Sequence, residues 1–170
     1  PEEALRFYTR RYENLAAEVT LLVSRVEAQA MSPEDARKAI ATTRATVTEA
    51  NAVGDLAALA ARLDALEELL PAQIEARKAA RAEQNANTIA AKQAMVNEAE
   101  ALASGNDWRR GVDRFRELLE EWKALPRVDR TTDNDLWHRF SSARTQYTRR
   151  RKAHFSELNA RRDEAKRLKE

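Results

Sequence analysis

The sequence predicts an all-α protein, an elongated helical bundle or coiled coil with long helices. Charged residues make up 34% of its 170 residues and hydrophobic residues 43%, many of them alanine. This mixture is typical of long helices and coiled coils. Only 3 glycines and 4 prolines interrupt it. We find no convincing alternation of β-branched residues, the pattern that indicates a strand. The apolar spacing predicts two helical units joined by a helical connector.

The first unit, residues 1–72, begins with a helix from Glu2 to about Ala30. Its apolar residues recur every three or four positions, which is the seam of a heptad repeat. That seam consists of Leu5, Tyr8, Tyr12, Leu15, Val19, Leu22 and Val26. A later helix of the unit carries a second seam, formed by Leu56, Leu59, Leu63, Leu66 and Leu70. The seams pair either with each other in a hairpin bundle or with a second chain in a coiled-coil dimer, and the sequence leaves both open.

Capping residues predict the helix boundaries within this unit. Ser32 is a favourable N-cap and Pro33 suits a first helical position, so a second helix is expected to run from there to about Ala50. Asp55 is expected to cap the third helix. Pro71 marks a kink or a new first turn near the end of the unit, because proline cannot donate a backbone hydrogen bond.

The connector, residues 73–88, is polar and rich in alanine, and Ile74 is its only large apolar residue. We therefore expect a solvent-exposed helix. The second unit, residues 89–158, is predicted to contain three helices, with breaks at 104–107 and Pro126. Its expected core consists of Trp108, Val112, Phe115, Leu119, Trp122, Trp137, Phe140 and Tyr147.

The last helix of the second unit is predicted to begin at Thr132, where acidic residues in the first turn favour the helix dipole. It is expected to run to the end of the sequence. Residues 159–170 are read as the start of a following helical segment.

Aromatic and arginine residues of the second unit form a recognisable pattern. Its parts are Trp108, residues 120–123 with Trp122, residues 136–140 with Trp137 and Phe140, Ala143 with Arg144, and Arg149 to Arg151. Over about Ile89–Leu158 this pattern resembles one repeat of the bacterial domain-of-unknown-function family 349. The resemblance implies helical repeats that often occur in tandem. It implies no activity, because none is established for the family.

Two further features accompany this resemblance. The first half of the chain resembles the helical segment that precedes the repeats in actinobacterial members, and residues 159–169 resemble the start of a following repeat, which suggests an excised fragment of a longer chain. Ala124 and Leu125 depart from the family pattern, because a glycine is expected before Pro126. That departure concerns the geometry of the loop.

The chemistry-bearing residues favour a non-catalytic protein. The sequence has no cysteine, and its glycines are too scattered for a phosphate-binding loop. His138 and His154 are separated by about 24 Å along one helix, too far to share a metal. We expect no enzyme activity, no cofactor, no metal and no small-molecule substrate. No apolar stretch is long enough to span a membrane, and a cytoplasmic location is expected.

One basic segment is a candidate binding surface. The 21 residues from Leu136 to Ser156 contain no Asp or Glu. Their candidate contacts are Arg139, Arg144, Arg149, Arg150 and Lys152. Residues 101–170 hold 18 Lys and Arg against 12 Asp and Glu, so an anionic partner is expected here. The alternative is a solvated helix face, in which the aromatic residues belong to the core and Arg151 pairs with an acid of the 117–121 cluster.

A second candidate for anion binding lies just before the last helix. Arg127 and Arg130 flank the free backbone N–H groups expected near Thr132, where a phosphate could bind. The alternative is that Arg130 pairs with Asp129 or Asp133. From all these features we expect a helical interaction or scaffold protein that docks a protein partner, or a copy of itself, through its seams. The alternative function is DNA or RNA binding through the last helix.

Overall fold

The computed structural model describes residues 1–169, and over that range the protein is all-α, as predicted. Its helices are α1 (Glu2–Glu27), α2 (Pro33–Glu49), α3 (Leu56–Ser104), α4 (Arg110–Ala124) and α5 (Arg130–Lys169). Within the described residues, no helix is both long and apolar enough to cross a membrane. The chain divides into two compact units, one ending at Ala80 and the other beginning at Arg81.

The predicted caps of the first unit are present. The N–H of Asp35 donates to the Ser32 hydroxyl at 3.1 Å, which fixes the start of α2. The N–H of Ala58 donates to the Asp55 carboxylate at 2.9 Å, which fixes the start of α3. α1 ends slightly earlier than expected, because Gln29 adopts a left-handed backbone with φ of 53°.

The seams of α1 and α3 bury their side chains in one core together with α2, which is the hairpin-bundle arrangement. This core consists of Leu15, Val19, Leu22, Val26, Ala36, Ile40, Val47, Leu59, Leu63, Leu66 and Leu70. Leu5 does not join it and is 55% exposed. Polar contacts reinforce the packing: Arg44 of α2 pairs with Asp64 at 2.7 Å, and Gln73 donates to the Val26 carbonyl at 3.0 Å.

Pro71 and the connector do not interrupt α3. The helix continues through Pro71 without ending there. From position 74 to position 87 every residue is exposed. Helical periodicity of buried side chains resumes at Thr88 and Lys92, where the helix enters the core of the second unit.

The second unit packs α4 and α5 against the later part of α3. Its core consists of Met95, Val96, Ala99, Ala103, Phe115, Leu118, Trp122, Leu136, Phe140, Ala143 and Tyr147. One expectation was wrong: Trp137 is 38% exposed, because it lies at the edge of the core. Leu119 is partly buried and packs against the core, as Trp108 and Val112 do. The fully buried leucine of α4 is Leu118, because it completes the spacing of three and four between Phe115 and Trp122.

The loops at the two ends of α4 explain why position 111 is a glycine and why position 125 does not need to be one. Tyr147 donates its hydroxyl to the carbonyl of Asp107 at 2.9 Å, and burial raises the pKa of this tyrosine. Its ring passes so close to Gly111 that a Cβ there would lie 2.2 Å from the hydroxyl oxygen. At the other end of α4, Leu125 has an extended backbone with φ of −82°. No glycine is needed there, since only a positive φ would favour one.

Replacing Gly111 with alanine should therefore destabilise the second unit. We expect Gly111→Ala to lower the free energy of unfolding by about 1–3 kcal/mol, because the added methyl group displaces the Tyr147 ring. Gly105→Ala is the matched control, since its Cβ would meet no atom closer than 3.4 Å. Denaturant unfolding of both variants measures the difference, and equal stability would contradict the assigned packing.

Trp122 offers a test of the core as a whole. It is 8% exposed and lies within 5.2 Å of the Phe140 ring, centroid to centroid. Trp122→Ala should cost about 3–5 kcal/mol, as for other large-to-small core substitutions. Trp137→Ala serves as the comparison, because its partly exposed ring should cost less. Thermal melting distinguishes the two, and an unchanged midpoint for Trp122→Ala would refute its burial.

Candidate nucleic-acid interface

Packing of α5 gives two of the predicted contact residues bonding partners on neighbouring parts of the second unit. Arg139 forms an ion pair with Glu100 of α3 at 2.5 Å. Arg150 donates to the carbonyls of Ala103 and Gly105, the latter at 2.8 Å. A cation at this position satisfies free carbonyls at the C-terminal end of a helix and complements its dipole. Both arginines therefore connect α5 to α3, and their contact with a ligand stays a prediction.

Arg150 is held further by the loop that follows α3. Its guanidinium donates to the Asn106 side chain at 3.2 Å and lies 5.1 Å from the centroid of the Trp108 ring. His154 stacks on the same tryptophan, with 5.4 Å between ring centroids. Trp108 thus connects the loop to α5, which explains its place in the sequence pattern.

The acidic cluster on α4 has a different partner from the one predicted. Arg151 donates to the carbonyl of Trp108 at 3.3 Å and does not pair with the cluster. Arg114 pairs instead with Glu117 at 3.1 Å and with Glu98 of α3. This hydrogen-bonded guanidinium lowers the pKa of the Glu98 carboxyl. The cluster is therefore partly neutralised from within α4, which the sequence reading missed.

The remaining predicted cations of α5 carry no such bonds. Arg149 and Lys152 are exposed, and Arg144 is half-buried at the edge of the same surface. Among residues 1–169 none of the three side chains makes an ion pair or a hydrogen bond. We call Arg149 and Lys152, with the polar residues Thr145 and Ser156 beside them, the outer face of α5.

The aromatic residues of α5 divide between core and surface. Phe140 and Tyr147 are buried, as the alternative reading predicted. Trp137 and Phe155 are 38% and 40% exposed. Trp137 stacks on Phe140, with ring centroids 5.6 Å apart and the planes at 23°. One face of the indole is thus supported by the core while part of its surface reaches solvent.

The second candidate, at the start of α5, lacks the ion pair that the alternative reading predicted. Asp129 accepts the N–H of Thr132 at 3.0 Å, so it caps a helix that begins at Arg130. This hydrogen bond lowers the pKa of the Asp129 carboxyl. Neither Arg127 nor Arg130 has an ion-pair partner within the described range, and both are exposed. The expected pairing of Arg130 with Asp129 or Asp133 is therefore wrong.

Asp133 instead pairs with a buried lysine that sequence reasoning missed. Lys92 is 1% exposed, and its ammonium group donates to the Asp133 carboxylate at 2.6 Å. The same group lies 5.1 Å from the centroid of the Trp122 ring. Lys92 falls between Ile89 and Val96 at helical spacing, so its position on an apolar face was the available signal.

Comparison with known proteins gives one family. The family model described as Domain of Unknown Function (DUF349) matches residues 58–131 and 135–170. The first match begins at residue 58, well before Ile89, where the sequence pattern predicted the resemblance to this family to begin. No curated protein and no solved structure matches the chain.

Removing either partner of the buried pair should have unequal effects. Asp133→Ala leaves Lys92 buried without its carboxylate, and we expect a loss of about 3–5 kcal/mol in unfolding free energy. Lys92→Met should cost less, since the Asp133 side chain is 14% exposed and water can solvate it. Asp135→Ala is the control for the charge in the first turn of α5. Chemical denaturation measures all three, and equal effects of Asp133→Ala and Asp135→Ala would refute the role of the pair.

Proposed function

Since the chain belongs to the family Domain of Unknown Function (DUF349), whose description assigns no activity, we propose its function from its own surface. The proposal is a non-catalytic protein that binds the phosphate backbone of nucleic acid through the outer face of α5. The observation that carries it is a pair of exposed cations, Arg149 and Lys152, which have no ion-pair partner in the described part of the chain and lie within a segment free of acidic residues.

Electrostatics supports this surface as an anion-binding site. From Leu136 to Ser156 the helix carries 21 residues and no carboxylate, a length of about 30 Å at 1.5 Å per residue. Internal bonds use Arg139, Arg150 and Arg151, but Arg150 and Arg151 bond to neutral carbonyls and keep their full charge. The field along the helix therefore stays positive, which favours a polyanion.

The rigidity of α5 also supports its outer face as an anion-binding surface. Arg149 directly precedes Arg150, which is fixed by the loop after α3, so the backbone beneath the outer face is held on its opposite side. A side chain on a fixed helix loses less conformational freedom on binding than one on a mobile loop. Phosphate contacts of this kind position a nucleic acid without reading its bases.

The direct test is binding of fluorescent duplex DNA and single-stranded RNA over a series of salt concentrations. We expect binding that weakens steeply with salt, because each neutralised phosphate releases counterions. The double variant Arg149→Glu, Lys152→Glu should bind at least about tenfold more weakly. Its log–log salt slope should be shallower by about 2, one unit for each lost phosphate contact.

The matched control is Arg77→Glu, Lys78→Glu, which makes the same change in charge on the exposed stretch of α3. This control separates a local effect at α5 from a change in net charge. No binding of either nucleic acid at low salt would refute the proposal, as would equal losses in the two double variants.

A second candidate function, docking of another protein or of a second copy, is supported by α1. Phe7 and Leu21 are each 59% exposed. They are 14 residues apart, close to four helical turns, so they lie on one side of the helix. At 1.5 Å per residue they lie about 21 Å apart along the helix, a span that a partner helix would cover. Sedimentation of the wild type and of Phe7→Ser, Leu21→Ser tests self-association, which only the wild type should show as concentration rises.

A further inference from the structure

The second unit contains a cavity that none of the functions above uses. It has a volume of about 290 Å³ and lies where the end of α4 and the following loop meet the start of α5. Its lining includes Lys92, Trp122, Lys123, Arg127, Asp133 and Trp137, together with two leucines. This lining combines leucine, tryptophan and cationic side chains, so it offers apolar, stacking and charged contacts to a ligand.

The charge of the lining selects an anion. Lys92 and Asp133 neutralise each other at 2.6 Å. Lys123 and Arg127 are exposed and have no acidic partner among the residues that the structure describes, so the lining carries two unbalanced positive charges. An arginine and a lysine that line the same cavity suit a phosphate group, which the guanidinium can bind in a bidentate manner.

Lys92 adds hydrogen-bond donors to the same lining. An ammonium group has three N–H donors. Lys92 makes one hydrogen bond within the described part of the chain, to Asp133, and faces the Trp122 ring. A buried cation with a single acceptor is incompletely satisfied. An anion in the cavity would supply a further hydrogen-bond acceptor for the Lys92 ammonium group.

The aromatic wall selects a planar ring. Trp137 lines the cavity and is 38% exposed, so part of the indole is accessible. Its ring is held by Trp122 and Phe140, each with its centroid 5.6 Å away. A tryptophan fixed in this way needs no rearrangement before a base stacks on it, and such stacking is favourable for every base.

We propose that this cavity binds a phosphorylated planar ring of the nucleoside monophosphate class, with the ring against Trp137 and the phosphate at Lys123 and Arg127. This proposal differs from the prediction made from the sequence, which was that the protein binds no small molecule. The site is separate from the outer face of α5, so it does not depend on binding of a polymer there.

The test is isothermal titration calorimetry with AMP, with adenosine and with inorganic phosphate. AMP should bind at one site per chain. Adenosine and phosphate should each bind at least about tenfold more weakly, because each keeps only one of the two contacts. Phosphate binding as tightly as AMP would overturn the assignment of the ring, and absence of AMP binding would overturn the site.

Two variants locate the binding. Trp137→Ala should weaken AMP at least about tenfold, the loss expected for one stacked base, without changing the affinity for phosphate. Lys123→Glu, Arg127→Glu changes only exposed side chains and should weaken both AMP and phosphate. AMP binding that is unchanged in both variants would place the ligand elsewhere and refute the proposal.

The variant Arg149→Glu, Lys152→Glu separates this inference from the proposed function. It should bind AMP as the wild type does, since neither residue lines the cavity. Loss of AMP binding in this variant would refute the cavity as an independent site. Loss of only DNA and RNA binding in it supports both proposals, while retained DNA and RNA binding refutes only the outer face of α5.

Discussion

Burial of one face of α5 is the constraint on which the second unit depends. Leu136, Phe140, Ala143 and Tyr147 must all point into the core, and at 3.6 residues per turn this fixes the direction of every other side chain on the helix. Arg139 and Arg150 then fall beside α3, where they meet a carboxylate and free carbonyls. Arg149 and Lys152 fall on the other side, where they are exposed and form no ion pair within residues 1–169. The same rotation of the helix therefore separates structural arginines from cations that a ligand can reach.

The same pattern of burial occurs in both units. The two family matches begin at residues 58 and 135, an offset of 77. At that offset the four leucines of the α3 seam, Leu59, Leu63, Leu66 and Leu70, coincide with the four buried residues of α5. An apolar stripe with the same spacing thus begins each match. In α5 larger aromatic rings replace two leucines, and these rings surround Trp122 and Phe115. The second core is consequently aromatic where the first is aliphatic.

Periodicity and capping were sufficient to predict the helices, because both are local properties of the chain. Ser32 and Asp55 cap as predicted, and most residues of the α1 and α3 seams are buried. The partners of charged residues were not predictable in this way. Lys92 and Asp133 are 41 positions apart, and Arg150 bonds to carbonyls that only the end of α3 exposes. Such pairs depend on how helices pack, which spacing within one helix does not encode. Lys92 gave a weak signal, since a lysine on an apolar face requires a partner.

The cations of the second unit consequently belong to two physical classes. Lys92 is removed from water and interacts with Asp133 across a short distance, so dissolved ions hardly screen the pair. Its contribution is to the fold, and breaking it leaves a charge without solvent. Arg149 and Lys152 are exposed, and exposed cations contribute little to stability. They contribute to the free energy of binding only when a polyanion displaces the small counterions around them. Added salt weakens such binding, because it opposes the release of those counterions. Lys123 and Arg127 are exposed like the second class, but they lie beside a cavity that includes Lys92. An anion there would be screened less than one on the outer face of α5, so salt should affect binding at the two surfaces to different degrees.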